Sequence, residues 1–156
     1  MKFRFIWIRS HAEPGFREAI ERYQNRIGHF FPVEVVTIAP ERGRKGKNDA
    51  TVLREESARL LAAIPGKGLT VILDERGELI DSLKFSKWLE RVTIDQPHGV
   101  SFVMGGDVGL SGQVRARADK ILALSPMTLP HQLARVVLLE QVYRACTLIR
   151  NVPYHK

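Results

Sequence analysis

Cysteine is nearly absent from the sequence, which contains only Cys146. No disulfide can therefore form within the chain, and this suits a reducing compartment such as the cytoplasm. A zinc site lacks a second cysteine, and the five histidines lie too far apart to show metal-ligand spacing. We expect no bound metal, and we interpret Cys146 as a small buried residue within a helix.

Long apolar runs are also missing. No run approaches the roughly 18 residues that a membrane span needs. The first ten residues are too short, and too interrupted by Arg4 and Arg9, for a signal peptide. The 156 residues, 44% of them hydrophobic, suit a single domain with a sizeable core. We expect one cytoplasmic domain, residues 1–156, with no membrane association.

Acidic residues are outnumbered by basic ones, and the formal net charge is +7. This charge indicates either a solvated surface that keeps the protein soluble or a polyanionic partner such as nucleic acid. Its distribution is uneven, because the segment 41–49 (ERGRKGKND) has two glycines and no apolar side chain. This composition predicts a flexible basic loop whose cations are Arg42, Arg44, Lys45 and Lys47.

Strand-like and helix-like patterns alternate along the chain. Residues 2–8 and 33–38 read as strands, and residues 69–73 and 100–104 form continuous apolar runs typical of buried parallel strands. Residues 121–124 predict a last short strand. Each strand is followed by a segment with helical spacing of apolar residues. The order predicts an α/β fold, a mostly parallel sheet flanked by helices.

Three strand ends should meet at one edge of this sheet, where ligands bind in open α/β folds. They are Leu73–Asp74, the segment 105–109 (GGDVG) and the segment 125–131 (SPMTLPH). GGDVG lacks the spacing of a nucleotide-phosphate loop. Its glycines either make only a tight turn or let the backbone approach a flat ligand.

The segment 124–130 (LSPMTLP) is more apolar than an ordinary loop and contains two prolines. Its apolar side chains and backbone polar groups would suit an adenine ring. Alternatively, the loop is buried only because the chain crosses the core. The composition does not decide between these interpretations.

The last helix, which begins near Pro130 or His131, has no clean polar face. A surface helix of a monomer should have one.

After the helix, the chain ends in NVPYHK, which is either a frayed terminus or a tail that folds onto a site. Within the chain we find no nucleophile elbow and no Ser-His-Asp order that indicates a triad.

Five segments together resemble one family along essentially the whole chain: ERGRKGKN, LDERG, MGGDVGLS, LSPMTLPHQLARVVLLEQVYRA and PYHK. The chain resembles the ribosomal large-subunit RNA methyltransferase H family of small SPOUT-class enzymes. The resemblance implies a C-terminal trefoil knot, which is rare among protein folds. It also implies that S-adenosylmethionine is used to methylate N3 of a pseudouridine in a stem-loop of large-subunit ribosomal RNA, with the assembled ribosome as the favoured substrate.

The resemblance further implies a homodimer in which each active site is completed by the partner. The last helix would then pack on its own sheet and on the partner's copy, which explains its missing polar face. Pro130 and His131 would stiffen the loop beside the cofactor. The matching cofactor-binding positions are Leu73, Gly105, Leu124, Ser125, Pro126, Met127, Thr128 and Leu129.

Catalytic roles carry over to Tyr154 and His155 in the tail and to Arg144 in the last helix. His155 could accept the N3 proton, and a positioned water could do so instead. Arg144 could equally form a plain helix salt bridge with Glu140. The basic residues Arg42, Arg44, Lys45 and Lys47 would meet RNA phosphates.

Two other functions compete with this one. A non-catalytic RNA-binding module would keep the fold, but it should have lost the LSPMTLPH loop and the YHK tail. A protein that binds another nucleotide should carry a phosphate loop, and this chain has none.

Overall fold

The computed structural model describes residues 1–9, 14–41 and 48–154. Strands and helices alternate in the predicted order. The strands are β1 (Phe3–Ile8), β2 (Val33–Ile38), β3 (Leu69–Leu79), β4 (Val100–Met104) and β5 (Lys120–Ala123). The helices are α1 (Pro14–Gly28), α2 (Asp49–Ala63), α3 (Ser82–Asp95), α4 (Gly112–Ala116) and α5 (His131–Ile149).

The five strands form one sheet in the order β2-β1-β4-β3-β5, and all four pairings are parallel. The predicted parallel α/β sheet is therefore confirmed. Along β1 the side chains alternate between the two faces: Phe3, Phe5 and Trp7 join one hydrophobic cluster and Ile6 and Ile8 the other. Helices α1, α3 and α5 cover the first face, while α2 and α4 cover the second.

Three helices, α2, α3 and α4, each begin directly after a residue whose side chain caps the first turn. Asn48 Oδ1 accepts from the Thr51 N–H at 3.0 Å, and Asp81 Oδ1 accepts from the Lys84 N–H at 2.7 Å. Ser111 accepts from the Val114 N–H in the same way. Each cap satisfies a backbone donor that the first helical turn leaves without a partner.

Strand β3 is longer than the sequence predicted. It was expected to end at Leu73–Asp74, but it continues to Leu79 through a bulge. Leu122 of β5 pairs with both Leu73 and Glu78, so residues 74–77 lie outside the ladder. Gly77 makes this possible, because a Cβ there would lie 2.5 Å from the backbone carbon of Leu122. β5 runs from Lys120 to Ala123, one residue earlier than the predicted 121–124.

Helix α5 lies between α1 and α3 on one face of the sheet. Leu138, Leu139 and Val142 are fully buried in the core beneath it. Residues on its outer side keep part of their surface exposed, and they are Leu133, Val136, Val137, Glu140 and Arg144. The expected packing of α5 on its own sheet is thus confirmed, and its outer side keeps part of its surface exposed within the described chain.

Candidate active site

A cavity of about 440 Å³ opens at the carboxyl ends of β3, β4 and β5. Its volume is typical of a small-molecule site. The three strand ends that the sequence singled out meet here, as predicted. Of the expected cofactor-binding residues, those lining the cavity are Leu73, Gly105, Leu124, Ser125, Met127, Thr128 and Leu129. Pro126 belongs to the same loop but is not among the lining residues.

The glycine-rich segment after β4 forms a tight turn. The Gly109 N–H donates to the Gly106 carbonyl at 2.9 Å, and Gly109 has a φ of +78°. A Cβ at Gly105 would lie 2.6 Å from the Gly109 carbonyl oxygen. These glycines therefore do make a tight turn, as one of the two interpretations required. That they also admit the backbone to a flat ligand stays a prediction.

The loop between β5 and α5 is mostly exposed, with Pro126, Met127 and Thr128 on its surface. Met127 is 75% exposed. The Ser125 hydroxyl accepts from the Met127 N–H at 2.9 Å and holds the loop in shape. The alternative of a loop buried while crossing the core is wrong.

An ion pair that the sequence analysis did not identify closes one wall of the cavity. Arg115 Nε donates to Asp74 Oδ2 at 2.7 Å, and the Arg76 N–H donates to Asp74 Oδ1 at 3.0 Å. Burial alone would raise the pKa of Asp74, but the two hydrogen bonds outweigh it and the pKa is lowered. The signal in the sequence that could have pointed to this ion pair was the position of Asp74, directly after a buried strand.

His131 begins α5 at the cavity rim, where its Nε2 lies 3.3 Å from Asp107 Oδ1. Both residues also line a second, larger cavity beside the carboxyl ends of β1 and β2. Gly106 and Val108 belong to both cavities as well. The two cavities are therefore neighbours, separated by the glycine-rich turn and the start of α5.

Two charged residues are buried in the wall of the second cavity. Arg135 is 4% exposed, donates to the Ile8 carbonyl and lies with its guanidinium carbon 5.3 Å from the centre of the Trp7 ring. Its burial lowers the pKa of Arg135, although the Asp107 carboxylate acts in the opposite direction. Glu56 is also 4% exposed. Neither residue was identified from the sequence, because Arg135 in α5 and Glu56 in α2 lie among apolar residues of their helices.

The tail residue Tyr154 folds back onto α5. Its hydroxyl donates to Glu140 Oε1 at 3.0 Å, and its ring lies 4.8 Å from the Tyr143 ring in an edge-to-face arrangement. The Arg144 guanidinium carbon lies 4.8 Å from the Tyr154 ring centre. Burial and the hydrogen bonds to Tyr23 and Glu140 raise the pKa of Tyr154. A frayed end is therefore wrong for Tyr154.

Arg144 also forms the helix salt bridge that the sequence allowed, with Nε 3.1 Å from Glu140 Oε1. This hydrogen bond raises the pKa of Arg144. Its further role in a site stays a prediction. From His131 to Arg144 the helix rises by about 20 Å. Within one chain, the Tyr154 cluster is thus distant from the first cavity.

Several predictions fall on residues that the structure does not describe. The proposed proton acceptor His155 and the basic residues Arg42, Arg44, Lys45 and Lys47 lie outside the described residues. Cys146 is buried, as predicted, and burial raises the pKa of its thiol to about 12.

Within residues 1–9, 14–41 and 48–154, we find no group of three or more His, Cys, Asp or Glu side chains placed to hold a metal ion. None of the helices in that same part of the chain combines the length and apolarity that crossing a membrane requires.

Comparisons with known sequences give consistent results along the whole chain. A family model described as "Predicted SPOUT methyltransferase" matches residues 1–155. A protein of Trichlorobacter lovleyi is 39% identical over 158 residues, with 99% of each chain covered. A protein of Gemmatimonas aurantiaca is 40% identical over 157 residues, with 100% of each chain covered. Both bear the name Ribosomal RNA large subunit methyltransferase H.

Solved structures show the same fold. The structure of a probable methylase family protein from Haemophilus influenzae Rd KW20 matches with a TM-score of 0.61 at 14% identity, covering 99% of this chain and 70% of that one. A probable methyltransferase from Bordetella pertussis Tohama I matches with a TM-score of 0.61 at 19% identity, covering 92% and 93%. At these identities the likeness concerns the fold alone.

Proposed function

Because the chain belongs to the SPOUT methyltransferase family, and within it to the ribosomal RNA large subunit methyltransferases H, we propose that it methylates large-subunit ribosomal RNA. The methyl donor is S-adenosylmethionine and the acceptor is N3 of a pseudouridine in a stem-loop. The assembled ribosome is the substrate, so the reaction belongs to the cytoplasm. One observation carries the proposal: the cavity at the ends of β3, β4 and β5 gathers the loop residues expected to hold the cofactor.

The cavity fits this cofactor in size and chemistry. Leu73, Leu124 and Leu129 supply apolar walls, while the turns after β4 and β5 supply backbone polar groups. Pro126 belongs to the same loop but does not line the cavity. When bound, S-adenosylmethionine supplies an activated methyl group on its sulfonium. The protein must hold the base in line with that methyl group and help the N3 proton leave.

The exposed side of α5 supports a homodimer. Val137 lies midway between His131, at the cavity, and Arg144, at the tail cluster, and it is half-buried within one chain. A two-fold axis near Val137 that pairs antiparallel copies of α5 brings the cavity end of one helix beside the tail end of the other. The partner's tail then supplies the Tyr154 and His155 that the same chain's tail, about 20 Å along the helix, does not.

Residue roles follow from this arrangement. Tyr154 is held by Glu140 and Arg144 and contacts the target base. His155 accepts the N3 proton. Arg42, Arg44, Lys45 and Lys47 bind RNA phosphates. The family's C-terminal trefoil knot, which holds the loops around the cofactor, belongs to the same proposal.

The first experiment measures transfer of a labelled methyl group from S-adenosylmethionine to ribosomes that lack this methylation. Wild type is compared with Gly105→Val and His155→Ala. We expect label in large-subunit RNA with wild type only. Label retained with His155→Ala would exclude that residue as the proton acceptor. If wild type binds the cofactor but labels no ribosomal RNA, the proposed substrate is wrong; if it binds no cofactor, the methyltransferase assignment fails.

A further inference from the structure

Glu140 is the hydrogen-bond acceptor at the centre of the tail cluster. Its Oε1 accepts from the Tyr154 hydroxyl at 3.0 Å and from Arg144 Nε at 3.1 Å. Its Oε2 accepts from Gln141 Nε2 at 2.6 Å. The Glu140 side chain is 17% exposed and that of Arg144 is 25% exposed, so neither charge is fully solvated. One carboxylate thus holds a guanidinium of its own helix and the hydroxyl of a residue 14 positions further along the chain.

The Glu140 carboxylate is also held from a second helix. Gln141, which donates to it, accepts from the Ser82 hydroxyl at 2.6 Å, and Ser82 is the first residue of α3. These two hydrogen bonds do not involve the tail. The acceptor therefore has a fixed place between α3 and α5 onto which the tail can dock.

The tail itself has few anchors in the part of the chain that the structure describes. Asn151 ends α5 with a φ of +52°, and the Val152 N–H donates to the Thr147 carbonyl at 2.8 Å. Val152 and Pro153 are exposed. Beyond Val152, the polar contacts among the described residues all involve the Tyr154 hydroxyl. The direction of the tail therefore depends on the acceptor of that hydroxyl.

We propose that Glu140 is a positioning residue for methyl transfer, which fixes the direction of the tail by holding the Tyr154 hydroxyl and the Arg144 guanidinium together. This inference rests on the proposed function and adds to it the residue through which the tail is aimed. A misplacement of about 1 Å in an active site can cost about 100-fold in rate. Glu140 therefore governs turnover without touching the base.

The test compares two substitutions of Glu140. Glu140→Ala removes the acceptor, whereas Glu140→Gln keeps an oxygen for the Tyr154 hydroxyl. Gln141 can reverse its amide to suit the glutamine, because the Ser82 hydroxyl accepts as well as donates. We expect kcat for methyl transfer to ribosomes to fall about 30- to 100-fold with Glu140→Ala and less than about 10-fold with Glu140→Gln. KM for ribosomes and cofactor affinity should each change less than about 3-fold, since the contact acts on turnover.

Glu18→Ala is the matched control. Glu18 forms the same kind of helix salt bridge, with Arg22 four residues later at 2.8 Å, on an exposed face of α1. This variant should keep the wild-type kcat. In a Tyr154→Ala background, Glu140→Ala should lower kcat by less than about a further 3-fold, because the group that it positions is already absent.

The position of the tail is measured separately from activity. The chain has three tyrosines, Tyr23, Tyr143 and Tyr154, so protein labelled with 3-fluorotyrosine should give three fluorine NMR signals. Tyr154→Phe assigns one of them. In Glu140→Ala the Tyr154 signal should move to the position of a solvated tyrosine, and in Glu140→Gln it should stay near that of wild type.

The outcomes separate the two proposals. If wild type labels no ribosomal RNA, the proposed function fails, whatever the Tyr154 signal shows. If wild type is active but Glu140→Gln is as slow as Glu140→Ala, the negative charge itself is required and the positioning role is wrong. An unchanged Tyr154 signal in Glu140→Ala, or a loss of kcat no greater than that of Glu18→Ala, also overturns the inference.

Discussion

Asp74 and Arg115 join the bulge of β3 to the short helix α4 across one wall of the first cavity. Arg115 Nε lies 2.7 Å from Asp74 Oδ2, and the Asp74 side chain is 7% exposed. The second carboxylate oxygen accepts from the Arg76 N–H, so the bulge and the helix are fixed by one side chain. The ion pair fixes the position of the segment 74–77, which does not pair with β5.

Asp74→Asn should therefore destabilise the protein in a pH-dependent way. The folded pKa of Asp74 is lowered below the unfolded value of about 3.9, so its contribution is fully present above that value. It is lost as the pH falls through the folded pKa. We expect a loss of about 1–2 kcal/mol in the free energy of unfolding at pH 7, measured by urea unfolding.

That difference from wild type should shrink as the pH falls below about 5. The 95% exposed Asp107 at the same rim provides the control, since Asp107→Asn should change stability by less than about 0.5 kcal/mol. A difference for Asp74→Asn that stays constant down to the acid limit of the folded state would contradict the assigned role of the carboxylate.

Gly105→Ala should damage the cofactor cavity with little change elsewhere. The new Cβ meets backbone, the Gly109 carbonyl oxygen at 2.6 Å, so the turn itself must move. We expect S-adenosylmethionine to bind at least about 10-fold more weakly, a loss of about 1.4 kcal/mol, by calorimetry. A cofactor concentration of about 100 Kd should stabilise wild type by roughly 2.7 kcal/mol.

Gly112→Ala is the matched control, because a Cβ there meets nothing within 4 Å. It should bind the cofactor as wild type does. Equal affinity of Gly105→Ala and Gly112→Ala would mean that the turn after β4 does not shape the binding site.

Most of the fold was predictable because each strand and helix carries its own local signal. The β-branched and aromatic runs, and the caps at Asn48, Asp81 and Ser111, fix where elements begin. The bulge in β3 was not predictable, because it depends on how Leu122 pairs with two separate residues of β3. Pairing between distant strands leaves no periodic signal in either one.

The site was predictable to a similar extent. The edge where the strand ends meet follows from a parallel sheet, and the loop 124–130 was visible in its composition. Glu56 was not visible, because a glutamate between apolar positions of a helix looks like an ordinary surface residue. Its burial depends on contacts with other parts of the chain, among them Gly106 and the Glu41 N–H, which the sequence of α2 does not show.

Cys146 should react very slowly while the protein is folded. Burial raises its thiol pKa to about 12, so little thiolate exists at pH 8. We expect reaction with a colorimetric thiol reagent to be about 10³-fold slower than for free cysteine. The same protein in guanidinium chloride should react at the ordinary rate. Fast labelling without denaturant would show that α5 separates from the sheet more readily than its buried contacts imply.

A mixing experiment tests whether the partner's tail completes the site. Gly105→Val removes the cofactor cavity, and Tyr154→Ala removes the ring that Glu140 and Arg144 hold. Each variant alone should be nearly inactive. When subunits are exchanged at equal amounts, half of the dimers contain one chain of each kind. In each mixed dimer, one of the two sites combines the intact cavity of one chain with the intact tail of the other. Activity should therefore recover to about a quarter of wild type.

Labelled methyl transfer to ribosomes measures the recovery, and size-exclusion chromatography with differently tagged chains confirms that mixed dimers form. If mixed dimers form but stay inactive, the tail acts within its own chain, and α5 must bring Tyr154 to the cavity by a route other than the two-fold axis near Val137.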